Sequence, residues 1–207
     1  MQLITMNLIV RIIICFIIGS IPFAVISMSG TGVDIRQVGS GNPGFNNVLR
    51  VSKWRAVLTL AGDMGKGMIA VWLVLDAWPL HGMVSGRVAL GWLFGFAAIL
   101  GHCYSPFLKF KGGKGVATSG GVMLMLYPVW AAGALVYFAL ARITFGKLRW
   151  REAGATASIT AWALFTILMF FGVGKTDAAY AAIMTLFLAW RHKKNFQNLF
   201  RPTPSPR

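Results

Sequence analysis

The stretch Lys109-Phe-Lys-Gly-Gly-Lys-Gly-Val-Ala-Thr118 decides how this chain can fold, because it sets three lysines and three glycines between two long apolar segments. Glycine lets backbone amides approach a ligand closely and lysine supplies positive charge, so the stretch is suited to a phosphate. It is not the phosphate loop of the nucleotide hydrolases, because Gly115 follows Lys114 where that loop has Ser or Thr, and Leu108 stands where it has Gly. We therefore expect a phosphate site without the metal geometry of that loop.

The composition around this stretch is that of a membrane protein. Of the 207 residues 57% are hydrophobic, and twenty Lys and Arg against five acids give a net charge of +15. Several apolar runs reach the roughly 20 residues that a helix needs to cross a bilayer, which leaves no room for a soluble domain. The bases lie at the ends of these runs, which favours an anionic membrane face and anionic substrates over nucleic acid as their partners.

The number of membrane crossings depends on the segment from Val116 to Ala141. It could cross once, or it could turn near Tyr127-Pro128 and cross twice. With two crossings, the bases of residues 30–55, 109–114 and 142–151 and those of the tail from Arg191 all lie on one side of the membrane, as the positive-inside rule prefers. This arrangement predicts an all-α integral membrane protein with seven transmembrane helices, its N-terminus outside and its C-terminus inside.

We predict spans at about residues 3–28, 56–75, 87–107, 116–127, 128–141, 157–171 and 178–190. Each half of the segment from Val116 to Ala141 has about 13 residues and reaches roughly 20 Å as a helix. The fourth and fifth helices are therefore predicted to be shorter than the roughly 30 Å hydrocarbon layer. The inner loops should then dip into the membrane. Pro22 should kink the first span. Residues 1–200 are expected to form one membrane domain, and residues 201–207, with three prolines, a disordered tail.

Few side chains are available for catalysis. The five acids form no paired-carboxylate site, and the three histidines are scattered without metal-ligand spacing, so we predict neither a metal site nor a cofactor. Asp63 and Lys66 are spaced to form an ion pair on one helix face, which we interpret as structural. Cys15 and Cys103 lie in apolar contexts and are interpreted as small buried residues.

The remaining polar residues are grouped in three places, and each group has an ordinary structural interpretation beside a functional one. The residues of the first loop could bind phosphate or could only build turns: Ser40, Asn42, Asn46, Asn47 and Arg50. Arg191, His192 and Asn195 end the last helix, where basic residues often anchor a protein to the membrane surface. Ser158, at the start of the sixth span, could simply serve helix packing.

Five stretches nevertheless lie in order along the chain and together resemble the acyl-phosphate:glycerol-3-phosphate acyltransferases, the PlsY family. They are Val38-Gly-Ser-Gly-Asn-Pro-Gly44 with Asn47-Val-Leu-Arg50, Asp63-x-x-Lys-Gly67, Gly101-His102 with Phe110-Lys-Gly-Gly-Lys-Gly-Val-Ala-Thr118, Ala157-Ser-Ile-Thr160, and Arg191-His-x-x-Asn195. The resemblance implies transfer of a fatty acyl group from acyl phosphate to the 1-hydroxyl of glycerol 3-phosphate, giving lysophosphatidic acid and inorganic phosphate. It also implies seven helices in a bacterial inner membrane, with the active site facing the cytoplasm.

The resemblance also implies roles for individual residues. The catalytic positions carry over to His192, Ser40 and Lys114, and the substrate-binding positions to Arg50, Asn42, Asn47, Gly112, Gly113, Gly115, Ser158 and Asn195. The implied partners are acyl phosphate, glycerol 3-phosphate and membrane lipid, and a monomer is compatible with this. One departure affects the first loop: the family usually has Gly-Ala-Thr-Asn where this chain has Gly44-Phe-Asn-Asn47, so Phe45 and Asn46 could alter substrate contacts.

The implied reaction needs little covalent chemistry from the protein. Acyl phosphate is already an activated mixed anhydride, so we expect direct transfer without an acyl-enzyme. Either His192 or a phosphate oxygen of the substrate could accept the hydroxyl proton. We favour the phosphate oxygen, because no carboxylate is evident to orient His192. A different class of function, a small transporter or channel for an anionic phosphate compound, would also suit short helices and glycine loops, but the bases cluster on one side only.

Overall fold

The computed structural model describes residues 2–73 and 87–200, and within them the chain is helical without strands. These residues form ten α-helices: α1 (Gln2–Ser20), α2 (Phe23–Met28), α3 (Phe45–Val48), α4 (Lys53–Trp72), α5 (Arg87–Cys103), α6 (Val116–Leu126), α7 (Pro128–Lys147), α8 (Ala153–Gly172), α9 (Lys175–Arg191) and α10 (Lys193–Leu199). They fall into two compact units, one up to Pro128 and one from Val129 onward. Asp76, His81 and the predicted tail of residues 201–207 lie outside the described residues.

Four segments of the described chain are long and apolar enough to cross a membrane: Asn7–Met28, Val88–Leu108, Pro128–Lys147 and Ala153–Gly172. On α1, the side chains of Ile9, Ile13 and Ile17 are each about half exposed. Residues four apart lie on the same helix face, so these isoleucines form an apolar stripe on the outside of the protein. Such a stripe indicates contact with lipid.

The first predicted span is interrupted at Pro22 instead of merely kinked there. Helix α1 ends at Ser20 and α2 begins at Phe23. Proline has no backbone N–H to continue the helix, so carbonyl groups of the preceding turn need other donors. The carbonyl oxygen of Ile21 accepts from the Phe23 backbone N–H at 3.1 Å and from Lys66 Nζ at 3.0 Å.

The turn predicted near Tyr127-Pro128 is present, but only one of the two predicted short helices is short. Helix α6 has 11 residues and ends at Leu126, as expected. Helix α7 has 20 residues and ends at Lys147, so the prediction of a short fifth helix ending near residue 141 is wrong. Basic residues are favourable at a helix C-terminus and their long side chains reach polar surroundings, so Arg142 and Lys147 extend the helix instead of ending it.

In the first unit, four glycines bring two pairs of helices into backbone contact. Gly19 and Gly101 lie where α1 packs against α5, and Gly67 and Gly121 lie where α4 packs against α6. A Cβ atom added at any of the four would lie 2.0–2.2 Å from a backbone oxygen of the neighbouring helix. Small residues at helix interfaces are how membrane helices approach closely. The two polar loops of the first unit are built on this close-packed frame.

In the second unit, α8 packs against α9 and the short α10 follows α9. The hydroxyl oxygens of Thr166 on α8 and Thr185 on α9 lie 2.9 Å apart. Each hydroxyl oxygen also lies 2.9 Å from a carbonyl oxygen of its own helix, so one hydroxyl donates to its carbonyl and accepts from the other hydroxyl, and both are satisfied. The helix pair therefore fixes the start of α8 relative to the end of α9.

Candidate functional site

Asn47 holds the first polar loop together. Its side chain is 2% exposed, and its Nδ2 donates to the backbone carbonyls of Ile35 at 2.9 Å and Val38 at 3.0 Å. Its Oδ1 accepts from the backbone N–H of Ser40 at 3.0 Å. A buried amide that satisfies three backbone groups fixes the path of the loop. These contacts make Asn47 a part of the loop's framework, and the substrate-binding role implied by the resemblance stays a prediction.

Arg50 and Ser40 lie on the exposed side of the same loop. Gly39 has a left-handed backbone, with φ of 58°, and a Cβ there would lie 2.4 Å from Asn47 Oδ1 and 3.4 Å from Arg50 Nη1. Glycine at this position therefore lets the Asn47 amide lie against the loop backbone, with the Arg50 guanidinium group beside it. The Ser40 hydroxyl accepts from the Asn42 backbone N–H at 3.4 Å. The loop thus presents a guanidinium group and a hydroxyl group to the surroundings.

A turn before this loop is closed by an exposed ion pair. Arg36 donates to Asp34 from its side chain at 2.8 and 2.9 Å and from its backbone N–H at 3.0 Å. These hydrogen bonds from Arg36 lower the pKa of Asp34 to about 2, because they stabilise the carboxylate. The Arg36 carbonyl oxygen lies 3.1 Å from where a Cβ of Gly41 would be, so the turn packs directly on the loop.

The second polar loop folds back on the end of α5. The backbone N–H groups of Gly112 and Gly113 donate to the carbonyls of Cys103 at 3.2 Å and His102 at 3.1 Å. A Cβ at either glycine would lie 2.1 Å from an atom of His102. Both glycines are therefore explained by close packing, and both amides are engaged within the protein, where we had expected them to face a phosphate. Phosphate contact by Lys114, Gly115 and these two glycines stays a prediction.

Lys114 lies immediately before the N-terminus of α6, as the sequence indicated. Gly115 is the N-cap, with φ of 90°, and Val116 begins the helix. The first backbone N–H groups of a helix have no partner within it and carry partial positive charge, so they attract anions. An ammonium group and a helix N-terminus in sequence make this the most strongly anion-attracting segment of the loop.

A buried ionic cluster lies under the second loop. Asp63 Oδ1 is 2.8 Å from Lys66 Nζ, which confirms the predicted ion pair on α4, and it is 3.4 Å from His102 Nδ1. The prediction did not include His102, which lies 39 positions further along the chain and has no local signal connecting it to Asp63. A small pocket beside the cluster is lined by all three residues and also by Pro22, Phe23, Pro43, Ser105 and Gly113.

In the second unit, His192 is oriented by a backbone carbonyl. It lies between α9 and α10 and is 3% exposed, and its Nδ1 is 2.7 Å from the carbonyl oxygen of Leu188. Because a carbonyl can only accept, we assign the proton to Nδ1, and Nε2 then carries the lone pair of the neutral ring. The ring is therefore held in the tautomer whose Nε2 can accept a proton or a hydrogen bond.

Glu152, to which the sequence pattern assigned no role, joins the start of α8 to α10. Its Oε2 accepts from Asn195 Nδ2 at 2.5 Å and its Oε1 from Asn198 Nδ2 at 2.9 Å. Asn195 and Asn198 are three apart on one face of α10, so the carboxylate binds two side chains about one helix turn apart. The sequence shows only a single acid directly after the bases of residues 142–151. Ser158, one turn further into α8 than Gly154, is buried and donates to the Gly154 carbonyl at 2.7 Å.

The predicted site residues therefore fall into three groups. Ser40, Asn42, Asn47 and Arg50 share the first loop; Gly112, Gly113, Lys114 and Gly115 share the second; and His192 and Asn195 lie one turn apart in the second unit, with Ser158 on α8. Over the described ranges 2–73 and 87–200, no group of three His, Cys, Asp or Glu side chains is placed to hold a metal ion.

Known proteins resemble this chain over nearly its whole length. A family model described as glycerol-3-phosphate acyltransferase matches residues 9–202. The glycerol-3-phosphate acyltransferase of Laribacter hongkongensis is 39% identical over 204 residues, which cover 97% of this chain and 96% of that protein. The protein of the same name from Paraburkholderia xenovorans is 39% identical over 198 residues, covering 94% of this chain and 88% of that protein.

Solved structures resemble the fold as well. The crystal structure of PlsY (YgiH), an integral membrane glycerol 3-phosphate acyltransferase, in its glycerol 3-phosphate form has a TM-score of 0.77 and 32% sequence identity, covering 93% of this chain and 92% of that one. Its lysophosphatidic acid form has a TM-score of 0.76 and 31% identity, covering 93% and 91%.

Proposed function

The chain belongs to the glycerol-3-phosphate acyltransferase family, and from this premise we propose that it transfers a fatty acyl group from acyl phosphate to the 1-hydroxyl of glycerol 3-phosphate. The products are lysophosphatidic acid and inorganic phosphate. The observation that carries the proposal is the placement of Lys114 at the N-terminus of α6, because both proposed substrates bear a phosphate that needs such a partner. Family membership favours this enzyme over the transporter considered from the sequence.

The proposed step is a direct acyl transfer. The hydroxyl oxygen of glycerol 3-phosphate attacks the carbonyl carbon of acyl phosphate and forms the ester bond. The bond between that carbon and the bridging phosphate oxygen breaks, and inorganic phosphate leaves with the electron pair. Because the leaving group is good, holding the two substrates in register supplies much of the acceleration, up to about 7–11 kcal/mol for well-oriented reactants. No acyl-enzyme is needed.

We assign the phosphate contacts to the two loops of the first unit. Arg50 offers a forked cation on the exposed side of the first loop, and Ser40 and Asn42 offer hydrogen bonds beside it. Lys114, Gly115 and the first amides of α6 are assigned to the second phosphate contact. Asn47, Gly112 and Gly113 support these groups by shaping the loops, since the side-chain amide of Asn47 and the backbone N–H groups of the two glycines have backbone partners.

In the second unit we assign His192, Asn195 and Ser158 to substrate. The hydroxyl proton of glycerol 3-phosphate goes to a phosphate oxygen of a substrate. His192 Nε2 binds and orients the substrate. The support for this choice is the partner of Nδ1, which is the Leu188 carbonyl. A carboxylate in that place would stabilise an imidazolium strongly, as it does in the catalytic triads, whereas a neutral carbonyl does so less.

We further propose seven membrane spans, with the N-terminus outside and the loops of residues 30–55 and 109–114 on the cytoplasmic side of a bacterial inner membrane. The distribution of bases supports this orientation. In a variant with Cys15→Ser and Cys103→Ser, a single cysteine is introduced by Lys111→Cys or by Lys175→Cys. A membrane-impermeant maleimide added to intact cells should label the Lys175→Cys variant and should not label the Lys111→Cys variant. The opposite pattern of labelling would reverse the orientation.

The proposed function is tested with purified protein in detergent. Acyl phosphate and glycerol 3-phosphate together should give lysophosphatidic acid and equimolar phosphate, and omission of either should give no lysophosphatidic acid. The same assay with acyl-CoA, another activated acyl donor, tests the donor. Transfer from acyl-CoA without transfer from acyl phosphate would contradict the proposed donor while leaving the family assignment intact. An acyl group trapped on Ser40 or Ser158 would contradict direct transfer.

A further inference from the structure

The buried ionic cluster under the second loop has no part in the chemistry assigned above. Its members, Asp63 and Lys66 on α4 and His102 at the end of α5, are only 2%, 2% and 7% exposed. A buried ion pair is weak evidence for stability, because an apolar replacement often folds as well. Ionisable residues within membrane helices are costly, and their presence points to a role in function.

His102 is the member of the cluster that touches the loop carrying Lys114. Its carbonyl oxygen accepts from the Gly113 backbone N–H at 3.1 Å. Its imidazole ring lies directly under Gly113, where an added Cβ would be 2.1 Å from Nε2. Nothing can be inserted between this ring and the loop backbone. The position of the ring therefore sets the position of Gly113 and of Lys114, the next residue.

The other side of the ring is fixed by Asp63. The Asp63 Oδ1 atom lies 3.4 Å from His102 Nδ1, and Lys66 Nζ, 2.8 Å from the same oxygen, also donates to the Ile21 carbonyl at the break between α1 and α2. A chain of contacts thus runs from the helix break through Lys66 and Asp63 to His102. All three side chains of this chain of contacts are nearly buried, so little freedom is left to the ring.

We propose that His102 is a positioning residue for acyl transfer. Asp63, itself fixed by Lys66, holds the imidazole in the position that places Gly113 and Lys114 at the substrate phosphate. This inference rests on the proposed function, because it assigns Lys114 to phosphate. His102 acts through Lys114 and not by contact with the reacting atoms. Loss of the ring contact therefore lowers kcat/KM without unfolding the protein.

The test compares two replacements of His102 in the purified full-length protein. Leucine is similar in size but cannot bind Asp63, whereas asparagine places an amide nitrogen close to where Nδ1 was and keeps the donor to Asp63. We expect His102→Leu to lower kcat/KM about 10²-fold with an unchanged thermal unfolding temperature, since a displacement of about 1 Å can have such an effect. His102→Asn should recover part of this loss, because it restores the contact with Asp63 although it does not reach Gly113 as the ring does.

A double variant tests whether Asp63 acts through His102. Asp63→Asn combined with His102→Leu should lower kcat/KM no further than His102→Leu alone, because residues that act as one unit are not additive. The matched control is Thr59→Val, which removes a buried hydroxyl from the same helix, one that is 2.7 Å from the Ser27 hydroxyl. This control should keep the wild-type kcat/KM.

Wild-type kcat and KM in a folded His102→Leu variant would overturn the proposal, as would equal losses in the Leu and Asn variants.

If His102→Leu does not fold, Asp63→Leu/Lys66→Met/His102→Leu removes all three polar groups and leaves no charge unpaired. A folded triple variant with wild-type kcat/KM overturns the proposal, and one with about 10²-fold loss supports it. A triple variant that does not fold assigns the cluster to folding and also overturns it. Failure of the proposed function differs, because the wild-type protein then makes no lysophosphatidic acid.

Discussion

Asn195 Nδ2 lies 2.5 Å from Glu152 Oε2, and this contact joins α10 to the start of α8 across 43 positions of the sequence. The second oxygen of the same carboxylate binds Asn198. A residue assigned to substrate is therefore itself held by an acid that the sequence did not single out. The orientation of Asn195 depends on Glu152.

We expect Glu152→Gln to destabilise the protein by about 1 kcal/mol, because an amide cannot accept on both sides and one half-buried amide donor loses its partner. Acyl transfer should fall as well, since Asn195 loses its support. Equilibrium unfolding in mixed detergent and the transfer assay measure the two effects. The matched control is Asp177→Asn, which neutralises the acid in the first turn of α9 in the same unit. Equal effects of the two substitutions would contradict the role given to the Glu152 contacts.

Asn47→Ala removes three hydrogen bonds from the first loop. At about 1 kcal/mol net for each bond, we expect a loss of about 3 kcal/mol in the free energy of unfolding. Asn47→Asp keeps the acceptor for Ser40 but sets a negative charge against two carbonyl oxygens, so it should be no better than alanine. Asn42→Ala, in the same loop, should cost much less stability. A small effect of Asn47→Ala would show that the loop holds its shape without this side chain.

Lys114→Met should lower kcat/KM by about 10²–10³-fold, because it removes a cation assigned to phosphate at the N-terminus of α6. Lys111→Met, three positions earlier and exposed, removes the same charge from the same loop and should change kcat/KM little. Steady-state kinetics with both substrates varied measures the difference. If the two variants lose activity equally, the loop acts through its total charge and not through Lys114.

His192→Asn separates the two possible proton acceptors. An asparagine amide can still donate to the Leu188 carbonyl from near the position of Nδ1, but it has no atom equivalent to Nε2. If a substrate phosphate accepts the proton, kcat should fall by no more than about tenfold, whereas loss of an obligatory general base costs about 10²–10⁴-fold. Measurement at saturating concentrations of both substrates distinguishes these outcomes. A fall in kcat of about 10²–10⁴-fold would identify His192 as the general base.

The ion pair of Asp34 and Arg36 predicts a pH dependence confined to acid conditions. The pKa of Asp34 is lowered to about 2 in the folded protein, so its contribution to stability is complete above its ordinary pKa of about 4 and is lost as the pH falls toward 2. Asp34→Asn should therefore change stability by the same small amount at pH 8 and pH 6 and by less near pH 3. Thermal unfolding at these values measures it. A change between pH 8 and pH 6 would show that another group titrates with the turn.

The features that the sequence predicted correctly are those with local causes. The short α6 begins at the glycines beside Lys114 and ends before Pro128, and both signals lie in the helix itself or next to it. The ion pair of Asp63 and Lys66 follows from a spacing of three on one helix. In each case the residues that determine the structure are neighbours in the chain, so a pattern of a few residues was sufficient.

The incorrect or missing predictions have causes outside the local pattern. The basic residues after Ala141 were taken as the end of a helix, although the helix end carries such charges favourably and α7 continues to Lys147. The close packing of Gly112 and Gly113 comes from His102, which is ten and eleven positions away in the sequence and in direct contact with both, and the role of their amides toward phosphate stays a prediction. Glu152 had no neighbour in the sequence that indicated its partners on α10.

The glycine contacts of the first unit determine how a lipid-soluble donor can arrive. Where Gly19 meets the backbone of Ala98, and where Gly67 meets that of Thr118, the helices touch without intervening side chains. No hydrocarbon tail can enter the membrane protein between α1 and α5 or between α4 and α6 along these seams. For the proposed acyl donor, the path to the polar loops therefore lies outside both of these helix pairs.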